Sequence, residues 1–358
     1  MPIIKRVTPH PFHIPLKGAL RWGKSSELAA LDHVLVEVEL SDGSLGRAEI
    51  PPRPTIYGET VGTVLAAVDY LASRLVGLDI EDAWAHRKVF DAFPANLTAK
   101  GGLDIALWEA RAKSQGKELY QLLPPGHQRV RVSYILGIAD TEEMLADAAY
   151  VYAMGVRVLK VKVGPGLEGD LEKIAMIKNR FPEIDLYADA NETLGADNAE
   201  KYLTAWRDAG LMYVEEPLPV EQVSARKKLR QAGILPLIAD DSAFTIRDLQ
   251  RELELDTFDV LNIKPARSGV SWSLEMISLA GAAGKKVMLG SQALSSFGAY
   301  QTALLSFQGP VTEPCELSFH LKAEEGFHGF PELKAGFLYW EDLVKCRFDR
   351  ANFERFVL

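Results

Sequence analysis

The sequence predicts an α/β protein, a (β/α)7β TIM-like barrel joined to an α+β capping domain. Two patterns favour the barrel. Short β-rich runs alternate with amphipathic helical stretches over about 200 of the 358 residues, which is typical of a parallel sheet. These runs also end, one after another, on a polar or ionisable residue, as the strands around the active site of a barrel do. An open doubly wound sheet is the alternative, because periodicity alone does not show closure.

Residues 1–125 are predicted to form the main part of the capping domain. Residues 33–40 alternate apolar and polar side chains, and a turn at Asp42-Gly43 leads into a second strand over residues 44–50. Apolar residues at helical spacing then predict three helices, over residues 61–75, 80–93 and 97–114. The segment Pro124-Pro125-Gly126 breaks this pattern and marks the predicted boundary.

Residues 126–320 are predicted to form the barrel. Its eight strands are residues 130–136, 158–163, 185–189, 212–215, 235–240, 260–264, 286–289 and 311–316. Three of the intervening helices have a start signal, a capping residue followed three positions later by an acid, at Asp140, Asp197 and Thr245. Residues 321–358 continue no repeat and are expected to pack back on the capping domain as a C-terminal tail.

Composition and charge exclude several classes of protein. The chain carries 40 Lys and Arg against 49 Asp and Glu, a formal charge of −9, so no nucleic-acid partner is expected. No run approaches the roughly 20 apolar residues of a membrane-spanning helix, and no signal peptide is visible. The two cysteines, Cys315 and Cys346, cannot form a disulfide framework. We therefore expect a cytoplasmic protein without a membrane partner.

The candidate site lies at the predicted strand ends. Successive ends are 24 to 27 residues apart and carry Lys162, Asp189, Glu215, Asp240, Lys264, Ser291 and Glu316. The three acids end consecutive strands and offer the oxygen ligands that a hard cation such as Mg²⁺ prefers. Each acid alone is more typical of a helix N-cap, but three like charges brought together without a cation would repel one another.

Lys162 and Lys264 flank these acids. A lysine at the end of an apolar strand commonly extends its ammonium group to water. Two lysines facing each other across a cation-bound substrate would instead lower each other's pKa, and a neutral lysine is a competent general base. This predicts proton transfer at a carbon next to a carboxylate, with the enolate charge held by the cation.

Five motifs carry a family resemblance: Lys160-Val161-Lys162, Asp189-Ala190-Asn191, Glu215-Glu216-Pro217, Asp240-Asp241-Ser242 and Asn262-Ile263-Lys264-Pro265. They resemble the enolase superfamily, muconate-lactonising-enzyme subgroup, and residues 51–60 and 98–108 resemble the muconate cycloisomerases in it. The resemblance implies Mg²⁺, or Mn²⁺, on Asp189, Glu215 and Asp240. It also implies Lys162 and Lys264 as the acid/base pair, with Lys160 as an electrostatic helper. Asn191, Glu216 and Asp241 would then lie beside the ligands without binding the metal.

The resemblance also narrows the chemistry. Mandelate-racemase-like relatives use a histidine from the seventh strand, and none lies here between His127 and His320. The two-lysine subgroup remains, with muconate cycloisomerase as the first expectation and a small carboxylate as substrate. Alternatives are a racemase or epimerase of N-acylamino acids or dipeptides, an o-succinylbenzoate synthase, and a catalytically silent barrel, although all five key residues are present. Because such relatives are often dimers or octamers, a homo-oligomer is expected.

Substrate specificity is expected to come from two cap segments and the last barrel strands. The cap residues expected to contact the substrate are Arg21, Trp22, Lys24, Arg53 and Tyr57. The basic ones among them could bind a second carboxylate, although a solvated basic loop explains them as well.

The last strands also depart from one relative. Dipeptide epimerases bind the substrate ammonium with an Asp-x-Asp pair, where this chain has Glu316-Leu317-Ser318. Glu316 resembles the glutamate of muconate cycloisomerases, and Leu294, after Ser291, stands where many relatives have an acid.

Overall fold

A three-stranded antiparallel sheet begins the chain in the computed structural model, which describes residues 1–22, 26–164 and 166–358. Its strands, in the order β1-β2-β3, are β1 Ile4–Trp22, β2 Ser26–Leu40 and β3 Leu45–Ile50. The predicted hairpin of residues 33–50 is confirmed as β2 and β3, with Gly43 in the left-handed conformation that its turn requires (φ 87°).

Strand β1 is not predicted by the sequence, because Pro9, Pro11 and Pro15 interrupt it. All three prolines have odd residue numbers, so their backbone nitrogens point to the same side of this alternating strand. The N–H of His13, also an odd position, points away from β2 and donates to the carbonyl oxygen of Phe356 at 3.0 Å. The prolines therefore occupy places where β2 requires no N–H donor, as prolines of edge strands do.

Helices follow the sheet. They are α1 Pro54–Tyr57, α2 Val61–Leu75, α3 Ala83–Asp91, α4 Leu97–Ser114 and α5 Leu119–Leu122. The sequence predicts α2 and α4 with the observed bounds, and it predicts α3 too long at both ends. Helix α4 packs across β3, and the carbonyl oxygen of Ala106 and the amide nitrogen of Ala110 lie directly over Gly46.

Strand β4, Arg129–Arg131, precedes the barrel strands and lies outside their sheet. The barrel strands are β5 Ser133–Ile135, β6 Val158–Lys162, β7 Asp185–Asp189, β8 Leu211–Glu215, β9 Leu237–Ala239, β10 Val260–Ile263 and β11 Lys286–Leu289. Strands β5 to β11 form one parallel sheet in chain order. The single strand predicted over residues 130–136 is wrong, because the chain changes partner at Val132. Its first part, β4, pairs antiparallel with β12 (Phe337–Tyr339).

Residues 311–316, predicted as the eighth strand, form two isolated bridges instead of a continuous strand, and these bridges close the sheet into a barrel at the eighth strand position. Val311 forms a parallel bridge with Val287 of β11, and Cys315 forms one with Val132, next to β5. The predicted barrel is therefore confirmed over the open sheet. Inside it, the end where the strands begin is filled by apolar and aromatic side chains, those of Val158, Tyr187, Ile238, Val260 and Met288. The opposite end is left to polar residues.

Helices surround the barrel. They are α6 Thr141–Ala153, α7 Leu167–Arg180, α8 Ala199–Asp208, α9 Val223–Ala232, α10 Ile246–Leu255, α11 Pro265–Ala282 and α12 Ser296–Ser306. The predicted caps at Asp140 and Thr245 are confirmed, since each side chain accepts from the N–H three residues later. The predicted cap at Asp197 is wrong by one residue. Asn198 is the cap instead, and a turn in which its Oδ1 accepts from Gly195 N fixes that start.

The remaining elements are a 3-10 turn Phe319–Lys322, α13 Trp340–Leu343 and α14 Arg350–Glu354. Phe353 of α14 and Phe327 pack edge-on against Phe12 of β1, with ring centroids 5.8 and 5.3 Å away. Val357 bridges the same residue of β1. The C-terminal residues thus pack on the first sheet. No helix within the described ranges is long and apolar enough to cross a membrane.

The cap is fixed to the barrel by contact between α4 and α11. Gly269 interrupts α11 with φ 61°, which leaves the N–H groups that follow without helical partners. Asp104 of α4 accepts from Val270 N at 2.7 Å and Ser271 N at 2.9 Å, so it caps the second part of α11. This buried contact holds the cap over one side of the barrel.

Gly46→Ala tests the packing of β3 on α4. A methyl group at residue 46 would overlap backbone atoms of α4, so we expect the free energy of unfolding to fall by about 1 to 3 kcal/mol, as overpacked cores do. Urea unfolding measures it. Gly18→Ala is the matched control, since Gly18 is an exposed strand glycine with open space around its Cα. Equal stability of the two variants would contradict this packing.

Candidate active site

A cavity of about 400 Å³ lies at the carboxyl ends of the barrel strands, under the cap. From the barrel its wall includes Lys160, Lys162, Asp189, Asn191, Asp240, Asp241, Lys264, Ser291 and Glu316. From the cap it includes Leu20, Trp22, Ser26, Arg53, Thr55 and Ile56. The structure thus brings most of the predicted site residues, from six strand ends of the barrel, into one cavity. Glu215, at the end of β8, is buried and is not part of the wall.

The two lysines predicted as the acid/base pair lie on opposite sides of this cavity. Lys162 ends β6, the second of the eight barrel strand positions, and Lys264 follows β10, the sixth. Strand positions four apart in an eight-stranded barrel face each other. Asp189, Glu215 and Asp240, at the ends of β7, β8 and β9, lie along the arc between them.

Lys160 is the centre of a buried cluster of charges. Its Nζ lies 2.7 Å from Glu215 Oε1, 2.8 Å from Glu316 Oε1 and 3.1 Å from Asp189 Oδ2. Burial would lower the pKa of Lys160, but Asp189, Glu215 and Glu316 outweigh it and raise the pKa well above its ordinary value. Burial and the neighbouring carboxylates in turn raise the pKa of Glu215. One ammonium group therefore serves three carboxylates.

The two lysines of the proposed acid/base pair also contact carboxylates of this cluster. Lys162 Nζ lies 2.6 Å from Asp189 Oδ2, and Lys264 Nζ contacts Asp240 Oδ2. Burial would raise the pKa of Asp189, but Lys160 and Lys162 hold it at about 2. Burial would likewise lower the pKa of Lys264, but Asp240 raises it above its usual range. The expected lowering of the lysine pKa values is therefore not found for Lys264 while Asp240 is its partner.

Asp189, Glu215 and Asp240 fit a divalent cation by donor type, burial and charge. All three are buried carboxylates with oxygen donors. The charges of Asp189 and Asp240 help to raise the pKa of Glu215, and the charge of Asp240 acts to raise that of Asp189. Over the described part of the chain, however, no three such groups are already gathered into a ligand cluster. Their oxygens are taken by Lys160, Lys162 and Lys264, so a cation would compete with these ammonium groups.

Neighbouring residues support the three carboxylates. Asn191 Oδ1 accepts from Lys162 Nζ at 3.0 Å. Glu216 accepts from Asp240 N at 2.7 Å and Ser242 N at 2.9 Å, so it fixes the loop after β9 and does not line the cavity. Asp241 does line it, and burial together with Asp240 raises its pKa to about 7.

Arg267 is a site residue that the sequence reasoning missed. Its Nη2 donates to Asp240 Oδ1 at 2.9 Å, and its Nη1 donates to the hydroxyl of Tyr57 at 3.2 Å. Tyr57 thus contacts Asp240 only through Arg267 and is not part of the cavity wall. A buried arginine three residues after Lys264, in the first turn of α11, was the available signal.

The other residues of the capping domain that were predicted to contact the substrate do not all line the cavity. Trp22 lines the cavity, but Arg21 does not, since it is exposed and its Nε donates to Glu27 at 2.8 Å. Arg21 therefore matches the alternative of a solvated basic residue. Arg53 lines the cavity with a guanidinium group that is bonded to protein atoms. Lys24 lies outside the described residues.

The acid at the eighth strand is already engaged. Glu316 Oε1 accepts from Lys160 and from the hydroxyl of Tyr187, and its Oε2 accepts from Ser291 N at 2.8 Å. Ser318 Oγ donates to the carbonyl oxygen of Ser133 at 2.8 Å. Leu294, where many relatives have an acid, is buried. Residues 316–318 therefore offer no free carboxylate for a substrate ammonium.

Comparison with family models accounts for both parts of the chain. The model of the mandelate racemase/muconate lactonizing enzyme N-terminal domain matches residues 7–124. The enolase C-terminal domain-like model matches residues 143–342.

Individual relatives carry out different reactions. A D-Ala-D/L-Ala epimerase of Cytophaga hutchinsonii is 31% identical over 76% of this chain and 75% of its own. The crystal structure of a muconate lactonizing enzyme from Mycobacterium smegmatis with muconolactone is 29% identical and superposes with a TM-score of 0.92, covering 99% of this chain and 100% of that one. A Cytophaga hutchinsonii dipeptide epimerase with Mg and D-Ala-L-Val is 26% identical, with a TM-score of 0.90 over 99% and 98% of the chains. The relatives share this fold without sharing one reaction.

Lys160→Met tests the charge cluster. Without the ammonium group three buried carboxylates lose a shared partner, so we expect the free energy of unfolding in EDTA to fall by about 3 to 5 kcal/mol. A divalent cation should restore part of this loss, because it supplies the missing positive charge. Urea unfolding in EDTA and in MgCl₂ measures both effects.

The control for this variant is Lys178→Met. Among the described residues, Lys178 donates to the carbonyl oxygen of Ile184 alone, at 2.8 Å, away from the cavity. Its substitution should lower the free energy of unfolding by less, and MgCl₂ should not change that loss. A Lys160→Met variant that behaves like this control would contradict the cluster.

Proposed function

Because the chain belongs to the enolase superfamily, with both domains of its mandelate racemase/muconate lactonizing enzyme members, we propose that it is a Mg²⁺-dependent isomerase that moves a proton at the carbon next to a substrate carboxylate. The observation that carries the proposal is the placement of Lys162 and Lys264 on opposite sides of one cavity. Three buried carboxylates lie between them.

Asp189, Glu215 and Asp240 would hold the Mg²⁺. When bound, this cation supplies positive charge that stabilises the negative charge developing on the substrate carboxylate as its neighbouring proton leaves. Lys160 stays among the carboxylates and keeps them in place through its contacts with Glu215, Glu316 and Asp189. Glu316 is not one of the three ligands and stays a partner for the ammonium group, so we assign Lys160 an electrostatic role.

Lys162 and Lys264 would exchange the proton. Once Asp189 and Asp240 act as ligands, the two lysines lose the partners that favour their charged forms. A neutral lysine on one side then takes the proton from the α-carbon, and the protonated lysine on the other side returns one to the opposite face. Removal from one face and return to the other inverts the configuration of that carbon.

The substrate class we propose is an N-acylated α-amino acid, so the reaction is its racemisation or epimerisation. A dipeptide belongs to this class, because its C-terminal residue is acylated by the other. Support comes from the relative that is a D-Ala-D/L-Ala epimerase, at 31% identity. The cavity wall adds apolar surface for an acyl group or side chain, from Leu20, Trp22, Ile56, Ile135, Phe244 and Phe319.

At the eighth strand position, an uncharged acyl group fits better than a dipeptide's ammonium group. Glu316 is bonded to Lys160, Tyr187 and Ser291, and Ser318 bonds Ser133, so the eighth strand offers no free partner to an ammonium. A buried charge without a partner is costly. We therefore propose an acyl group without an amine.

Muconate cycloisomerisation is the second candidate. It is favoured by the muconate lactonizing enzyme with a TM-score of 0.92 and by Glu316, which resembles the glutamate of muconate cycloisomerases. A dicarboxylate needs a second cationic contact, however. Among the described residues predicted for it, Arg21 lies off the cavity and Arg53 is bonded to protein atoms.

Lys162→Ala and Lys264→Ala test the two-base reaction. With MgCl₂ in D₂O and the separate enantiomers of N-acetylphenylalanine, we expect each variant to lose racemisation by about 10²- to 10⁴-fold, the usual contribution of a general acid or base. Each should still exchange the α-hydrogen of one enantiomer, and the two variants should differ in which one. Proton NMR and chiral chromatography measure exchange and inversion. Racemisation at the parental rate in both variants would exclude the mechanism, and EDTA should abolish all activity of the parent.

A matched pair of substrates tests the acyl group. N-acetyl-L-phenylalanine and glycyl-L-phenylalanine differ only by the ammonium group that the glycyl compound has on the carbon next to the acyl carbonyl. We expect kcat/KM to be at least about tenfold higher for the acetyl compound, which corresponds to about 1.4 kcal/mol for the unpaired charge. Polarimetry follows both reactions, with cis,cis-muconate assayed in parallel by absorbance. Preference for the dipeptide would contradict the acyl-group proposal, and fastest turnover of muconate would favour the second candidate.

A further inference from the structure

Arg53 begins a set of contacts from the cap to the cavity wall. It follows β3, is only 4% exposed, and its guanidinium group is surrounded by protein acceptors. Its Nη2 donates to the carbonyl oxygens of Gln292 and of Ala293, the latter at 3.0 Å. Its Nη1 donates to the carbonyl oxygen of Pro52 and contacts His33 Nε2 at 3.1 Å. A residue of the cap thus holds two consecutive carbonyl groups of the barrel.

His33 and Glu49 fix the orientation of this arginine. His33 Nε2 accepts from Arg53, so its Nδ1 carries the proton and donates to Glu49 Oε1 at 2.6 Å. Burial lowers the pKa of His33, which agrees with this neutral form. Both side chains are buried, so water does not compete for these bonds.

Glu49 also reaches the barrel directly. It accepts from Ser295 N at 3.0 Å, from the hydroxyl of Ser295, and from Gly298 N at 3.0 Å. These groups lie at the start of α12, whose N–H groups have no helical partner. A carboxylate at this end also opposes the positive end of the helix dipole. The capping domain therefore holds residues 292–298 in two ways. Arg53 donates to their carbonyl groups, and Glu49 accepts from the N–H groups at the start of α12.

Residues 292–298 include a backbone conformation that is unfavourable without stabilising contacts. Ala293 has φ 55°, in the left-handed region that side chains other than glycine seldom adopt. The segment also forms part of the cavity, where Ser291, Gln292 and Ala293 are wall residues. Ser291 N donates to Glu316, which contacts Lys160. Movement here would change both the wall and the charge cluster.

We propose that Arg53 is a positioning residue that, with His33 and Glu49, holds residues 291–298 and so sets the cavity wall next to Glu316. This differs from its predicted role as a substrate contact, because its bonds go to backbone carbonyl groups of the protein itself. The inference concerns the substrate-free protein and does not depend on which substrate is used.

Hydrogen exchange followed by mass spectrometry tests this in the substrate-free protein with MgCl₂. We expect Arg53→Ala to raise exchange at residues 291–298 by at least about tenfold, while residues 158–162 and 185–189 exchange as in the parent. Arg53→Lys, which can reach one carbonyl group, should recover part of the protection. Arg74→Ala is the control, since Arg74 lies exposed on α2 and its hydrogen bonds within the described part of the chain go to Tyr70 and Ser73. If Arg53→Ala is poorly folded, Glu49→Gln tests the same segment through the start of α12.

Kinetics separate positioning from chemistry and from direct binding. With any substrate that the parent converts, Arg53→Ala should raise KM about tenfold and lower kcat by a smaller factor, because the wall moves while the acid/base lysines themselves are kept. A raised KM with unchanged exchange at residues 291–298 would overturn the proposal and assign Arg53 to the substrate. Exchange raised equally throughout the barrel would also overturn it, as a general loss of stability. The exchange result stands whether or not the proposed reaction is correct.

Discussion

The balance of buried charge around Lys160 is the constraint on which this site depends. Four carboxylates, those of Asp189, Glu215, Asp240 and Glu316, meet four cationic side chains, those of Lys160, Lys162, Lys264 and Arg267. Burying so many charges is tolerable only because each is paired. A divalent cation would add two positive charges to this balanced set. Binding of an anionic substrate reduces this excess positive charge, and so does the loss of a proton from a lysine. The same electrostatics therefore favours both carboxylate binding and a neutral lysine that can act as a base.

The fold limits how this set can be built. The charged residues come from the ends of six strand positions or from the turns that follow them, with Lys160 and Lys162 both on β6 and Lys264 and Arg267 both after β10. Closure of the barrel brings these ends into one ring. Side chains at the other end of the barrel are apolar or aromatic, so they exclude water from beneath the cluster. The cap covers the ring and adds Trp22, Leu20 and Ile56 to its wall. Relatives that share this fold catalyse different reactions, because the reaction is set by the residues of the site and not by the fold that carries them.

Much of this arrangement could be predicted from the sequence because parallel strands repeat. One polar residue at the end of each run, about 25 residues apart, located the ring before its geometry was known. Strand β1 could not be found in this way, since its prolines are harmless only at positions that β2 leaves unbonded. The partner change at Val132 likewise depends on β12, some 200 residues later. Arg53 and Arg267 show the same limit, because an arginine's partners are set by which backbone and carboxylate groups the fold brings to it.

A crystal structure of the Mg²⁺-loaded protein, with Mn²⁺ substituted in a second crystal for its anomalous signal, is the most direct test of the central claim. That claim is that three carboxylates bind the cation and thereby release the two lysines. The account predicts one metal ion bonded to oxygens of Asp189, Glu215 and Asp240, with Lys162 and Lys264 turned away from these acids and facing each other across the cavity. A metal ion elsewhere, or lysines still paired with Asp189 and Asp240 in the loaded site, would contradict it.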